Sequence, residues 1–153
     1  MSIAGLVNAI REAPEYAALR AAREQLIVGL SGSQKSLYVA ALAREPLEAG
    51  LFPSLLLTHS RYEAERWQRD LATLLGPDEV IIFPSLETYP HEEVVADLAV
   101  NRERLRALQY LASGQPRVVI AYVQAVVEKL MPAEAFEQAT VRVKPGERLE
   151  LDA

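Results

Sequence analysis

The chain has 153 residues, no cysteine and a formal net charge of −5, with half of its residues apolar and 24% charged. That length supports one domain with a real core; the lack of cysteine excludes disulfides and thiolate metal sites, and the acidic balance argues against a surface built throughout for nucleic acid. No apolar run approaches the roughly 20 residues of a membrane span, and Arg11, Glu12, Glu15, Arg20, Arg23 and Glu24 interrupt what a secretory signal would keep apolar, so a cytoplasmic protein is expected.

Residues 1–24 read as a helical lead-in. Ser2 is a candidate N-cap, Leu6, Val7 and Ile10 fall at helical spacing, and Pro14 suits the first turn of a second helix continued by Tyr16 and Leu19. Residues 25–138 read as an α/β domain. Leu26, Ile27, Val28 and Leu30 form a short apolar run, expected as the first strand, that leads into Gly29-Leu30-Ser31-Gly32-Ser33-Gln34-Lys35-Ser36. This stretch has the spacing of the phosphate-binding pattern G-x-x-x-x-G-K-[ST], in which backbone N–H groups wrap a phosphate at a helix N-terminus, the lysine reaches the outer phosphates and the hydroxyl holds Mg²⁺. Gln34 stands where the pattern needs glycine, and its side chain crowds the cradle. Gly29, Gly32, Gln34, Lys35 and Ser36 are therefore the candidate binding residues of a degenerate phosphate loop, expected to be non-functional and to hold no cofactor.

A helix from Lys35 to Arg44 should follow, with Leu37, Tyr38, Ala41 and Leu42 inward, before Pro46 and Gly50 punctuate the chain. Ser54-Leu55-Leu56-Leu57-Thr58 reads as a buried strand. Ser60 then caps a helix with Ala64, Trp67, Leu71, Leu74 and Leu75 on one face, ended by Gly76-Pro77. Val80 to Phe83 is a further strand, closed by Pro84. A loop leads to a helix from about Asp97 to Ala112, with Leu98, Leu105, Leu108 and Leu111 on its apolar side. Arg102 and Arg106 share one side of that helix and Arg104 points elsewhere; a solvated face is expected, with at most weak, non-specific DNA binding. Arg117 to Ala121 makes the last strand and Val123 to Met131 a helix. Residues 139–153 alternate apolar and polar around Pro145-Gly146, as the truncated start of a second domain would.

Apolar runs separated by amphipathic helices imply βαβ units, hence a parallel sheet with helices on both faces. A working phosphate loop also needs an acid at a strand end to organise Mg²⁺. The strands end at Thr58-His59, at Pro84 and at Tyr122, and Glu87, Glu92 and Glu93 lie on a loop. His59 and His91 are far apart and lie in no ligand motif, so no catalytic residue and no metal site is assigned. A small-molecule kinase or NTPase with a tolerant loop, for which Lys35 and Ser36 speak, stays open as an alternative, as does a stand-alone interaction domain.

The phosphate-loop stretch, Leu55-Leu56-Leu57-Thr58-His59-Ser60, and Asn101-Arg102-Glu103-Arg104-Leu105-Arg106-Ala107-Leu108 running into Pro116-Arg117-Val118-Val119-Ile120-Ala121-Tyr122-Val123-Gln124-Ala125 resemble the first domain (domain 1a) of UvrB, the helicase-like protein of nucleotide excision repair. Phe83-Pro84-Ser85-Leu86-Glu87-Thr88-Tyr89-Pro90 is similar in particular to the UvrB-like N-terminal module of the bacterial transcription-repair coupling factors. The resemblance runs from about Leu26 to Leu151 and implies a degenerate P-loop domain of the RecA/helicase-like class, with residues 139–153 beginning a domain like the second of UvrB. UvrB keeps a working loop and a long DNA-gripping hairpin after its third strand. Here Gln34 breaks the loop and only about a dozen residues join Phe83 to the next helix, so the damage-gripping role is not carried over. The resemblance further implies a non-catalytic scaffold for transcription-coupled repair that supports recruitment of UvrA, mainly through the following domain, and the resting state of a full-length ATP-dependent DNA translocase, whose downstream parts engage RNA polymerase and DNA.

Overall fold

In the computed structural model, which describes residues 3–21, 23–48, 53–86, 98–114, 118–141 and 146, three parallel strands lie between two layers of helices. Two short helices open the chain, α1 (Ile3–Arg11) and α2 (Pro14–Ala21), the second with its proline in the position where a missing N–H costs nothing. They are followed by α3 (Gln34–Glu48), β1 (Ser54–Thr58), α4 (Arg61–Leu75), a 3₁₀ turn (Pro77–Glu79) and β2 (Val80–Phe83). The chain then runs through α5 (Leu98–Ser113), β3 (Val118–Tyr122), α6 (Val123–Val127) and α7 (Ala133–Ala139). The strand order is β1-β3-β2: α4 carries the chain past the place of β3 to the far edge, and α5 returns it to the centre.

Local chemistry sets these boundaries. The Ser60 hydroxyl accepts from the Glu63 N–H at 3.3 Å and caps α4, which ends at Gly76, a residue with φ of +114° whose N–H donates to the Ala72 carbonyl. The central strand Val118–Tyr122 is buried at all five positions, as a strand flanked on both sides and covered on both faces must be. Val118, Ile120 and Tyr122 face α1 to α4 together with Leu56, Val80 and Ile82, whereas Val119 and Ala121 face Ala107 of α5 and Ala125 of α6 together with Ile81 and Phe83. Leu55 and Leu57 lie in register with Val119 and Ala121 and are 62% and 56% exposed: the second helix layer covers β2 and β3 and leaves β1 open.

Several expectations are corrected. Residues 25–31 form no strand, and Leu26 and Val28 are 88% and 77% exposed. An apolar run becomes a strand only by pairing, and no described strand runs beside this one; its first residue is held elsewhere, for Gln25 Nε2 donates to the Ala18 and Leu19 carbonyls at the end of α2. The sheet thus has three described strands where four were expected. Helix α3 passes through Pro46 to Glu48, since a proline in the last turns removes only one donor. Of the apolar side assigned to α5, Leu108 packs against the core as expected, whereas Leu98, Leu105 and Leu111 are exposed and the buried positions are Arg104 and Ala107. Helix α6 stops at Val127, short of the expected Met131, and α7 follows at Ala133–Ala139. Ser2, Gly50, Glu87, His91, Glu92, Glu93, Arg117 and nearly all of the segment 142–153 lie outside the described residues.

Tyr16 ties the lead-in to the rest of the core. Its ring is 2% exposed and its hydroxyl donates to the Ala41 carbonyl of α3 at 3.0 Å. Burial, reinforced by the Glu45 carboxylate, pushes the phenol up to about 12. A raised folded value means that this contribution is intact below the unfolded pKa of about 10 and is lost as pH rises toward about 12. Urea unfolding should show Tyr16→Phe about 1 kcal/mol less stable than the wild type at pH 8, with the difference shrinking or reversing between pH 10 and 12; a pH-independent difference would contradict this assignment.

Candidate functional site: the phosphate-type loop and the strand ends

In open α/β sheets ligands bind outside the carboxyl ends of the strands, and anions bind at helix N-termini. Both places are described in this chain, and in both the polar groups are turned on the protein itself.

The loop before α3 has two left-handed glycines, Gly29 at φ +83° and Gly32 at φ +53°, a conformation that a Cβ would strain. Gln34 opens the helix, and its Oε1 accepts the Ser31 N–H at 3.1 Å. A loop amide of the kind that cradles a phosphate is therefore satisfied by a side-chain carbonyl. Lys35 is exposed. Ser36, whose hydroxyl would hold the metal in the intact pattern, is 3% exposed and donates to Asp70 Oδ2 of α4 at 2.9 Å, serving as a strut between the two helices. The five residues singled out in the sequence thus lie together in one strand-less loop and the first turn of α3. Among the described residues no three His, Asp or Glu side chains are grouped to hold a metal ion. His59 is exposed beside Glu63, 3.2 Å away.

The strand ends are laced together. At the end of β1, Thr58 Oγ1 donates to the Ser60 carbonyl at 3.1 Å and reaches the Ala121 carbonyl of β3 at 3.5 Å. At the end of β3, the Tyr122 hydroxyl accepts the Ser85 N–H at 2.8 Å. Beyond β2, Arg104 enters from α5, 6% exposed, and one guanidinium nitrogen donates to the Pro84 carbonyl and to Glu128 Oε2. The guanidinium carbon stands 4.4 Å from the centroid of the Phe83 ring. Glu128 also accepts the Ser85 hydroxyl and the Leu86 N–H, the latter at 3.0 and 3.1 Å to its two oxygens. Sequence reading placed Arg104 away from Arg102 and Arg106 but did not find its partner. The one signal was the spacing itself, because an arginine two residues from each exposed neighbour on a helix points to the other side.

A buried guanidinium is tolerable only while it is paired and hydrogen-bonded. Glu128→Ala should therefore cost about 3 kcal/mol in urea unfolding, whereas the double variant Arg104→Met with Glu128→Leu should recover most of that loss. Equal losses in the single and double variants would show that the pair is a surface contact with no buried charge behind it.

No family model matches the chain. Among curated proteins it is similar to the transcription-repair-coupling factor of Bacillus subtilis, with 33% identity over 130 residues, which is 85% of this chain and 11% of that protein. It is 25% identical over 127 residues to the factor of Staphylococcus aureus strain USA300, covering 83% of this chain and 10% of the relative, and 25% identical over 128 residues to that of Staphylococcus epidermidis. The chain spans about a tenth of the length of the curated relatives it matches, a share consistent with an N-terminal module. Over about 85% of its length, the curated homologues of this chain are transcription-repair-coupling factors.

Proposed function

We propose that the chain is a non-catalytic, UvrB-like scaffold module of a transcription-repair-coupling factor, in which a degenerate phosphate loop of Walker A type has become structural. The observation that carries the reading is the Gln34 carbonyl on the Ser31 amide: the loop's donor is occupied from within, and the neighbouring serine is engaged by Asp70. The laced strand ends support it, since a phosphoryl-transfer site needs charged groups free to position a metal and a nucleotide, and Pro84, Ser85, Thr58 and Tyr122 are instead bonded to their neighbours. In this reading the module carries the domain that engages UvrA and supports the resting state of the full protein, while ATP-driven movement on DNA and contact with RNA polymerase belong to other parts of the longer chain. The family's name supports the role in transcription-coupled repair.

Titration calorimetry with Mg-ATP should detect no binding to the wild-type chain at millimolar nucleotide. Gln34→Gly frees the Ser31 amide and should gain weak phosphate affinity through Lys35 and the α3 N-terminus, without phosphate release above that of Gln34→Gly with Lys35→Ala. A micromolar dissociation constant for the wild type, or turnover by the single variant that the double abolishes, would overturn the proposal and favour the kinase or NTPase alternative.

A further inference from the structure

β2 is an edge strand of the described sheet. The outer side of β2 has no neighbour among the described residues, and beside it runs a trough of about 520 Å³. Its floor includes Ile81 and Ile82; Arg61 and Glu65 of α4 form one wall, and Glu103 and Arg106 of α5 the other. Ile81 and Ile82 point to opposite faces of the sheet and both are only half-buried, so neither layer closes over the edge. With a rise of about 3.3 Å per residue, a strand spacing of about 4.8 Å and a layer spacing of about 10 Å, a four-residue strand occupies roughly 600 Å³. The volume of the trough is of the same order as that of one more strand as long as β2.

Its chemistry selects the occupant further. An open strand edge offers a row of backbone donors and acceptors, which an extended polypeptide matches and a compact ligand does not. The walls are polar on both sides, unlike the core faces of β1 to β3, so the side chains of the added segment meet charge above and below. Arg61 and Glu65 pair with each other at 3.0 Å, and Arg106 lies over the Tyr110 ring at 5.7 Å. Two cations, Arg61 and Arg106, against three anions, Glu65, Asp78 and Glu103, leave the lining with one net negative charge. We propose that the edge of β2, unpaired among the described residues, and its trough dock an extended segment of a partner polypeptide that carries a lysine or arginine, as an added strand.

The test is selection of a displayed random octapeptide library on the intact chain, followed by amide chemical-shift mapping with the synthetic peptides recovered. Enriched peptides should hold at least four consecutive residues without proline, together with a basic residue, and should shift the amides of Val80 to Phe83. N-methylation of alternate peptide nitrogens should weaken binding by about tenfold, the scale of a lost hydrogen bond. The variant Asp78→Lys with Glu103→Lys, both at exposed positions, should weaken it severalfold while its thermal melt matches the wild type. Failure to enrich any peptide, shifts centred on Leu55 to Thr58, or binding indifferent to N-methylation would overturn the proposal. The N-methylation arm uses the wild-type chain and holds even if the lysine variant does not fold.

Discussion

Arg104 is the residue on which the second helix layer depends. It is a charge placed inside the protein, which costs several kcal/mol unless the surroundings repay it, and the repayment fixes the positions of three separate pieces of chain. The Pro84 carbonyl fixes the exit from β2, Glu128 fixes the exit from α6, Phe83 supplies a ring face, and Arg104 itself sets the rotation of α5. Once α5 is turned to bury Arg104 and Ala107, its leucines at 98, 105 and 111 are carried outward. Through Glu128 the same network captures the Ser85 hydroxyl and the Leu86 amide, and Tyr122 captures the Ser85 amide. The polar groups above the sheet are thereby spent on one another.

The first helix layer uses a different economy. It is apolar and small, with alanines at 40, 41, 43 and 64 letting α3 and α4 approach each other, and polar ties, among them Tyr16 to the Ala41 carbonyl, Ser36 to Asp70 and Arg20 to Glu45, run between helices. In the loop and first turn of α3, the Ser31 amide and the Ser36 hydroxyl each have a protein partner, Gln34 and Asp70. The stretch has three of the four residues that the phosphate-binding pattern specifies, Gly29, Lys35 and Ser36.

Much of this was legible in the sequence. β1, β2 and α4 were given by continuous apolar runs, by the Ser60 cap and by Gly76, because those signals are local. What failed was decided by neighbours distant in sequence. Leu26 to Leu30 has the composition of a strand but no adjacent strand among the described residues to pair with, and composition cannot report a missing partner. Leucine spacing suggested one face for α5, and a buried ion pair with a residue 24 positions away imposed another. In the candidate site, Gln34 was legible as a departure from the pattern. That its carbonyl would take the place of an acceptor on the Ser31 amide, and that Ser36 would be buried against Asp70, depended on the fold of the loop and the placement of α4.

The central claim is that the carboxyl ends of the strands are locked by structural bonds. Amide hydrogen exchange at Ser85 and Leu86 tests it most directly, because their N–H groups are held by Tyr122 and Glu128 although the two residues lie past the end of β2 in no helix or strand. The account predicts slow exchange at both amides, comparable to that of β3, and loss of the Leu86 protection in Glu128→Ala with β3 still protected. Exchange at the rate of an open loop in the wild type, with no change in the variant, would contradict it.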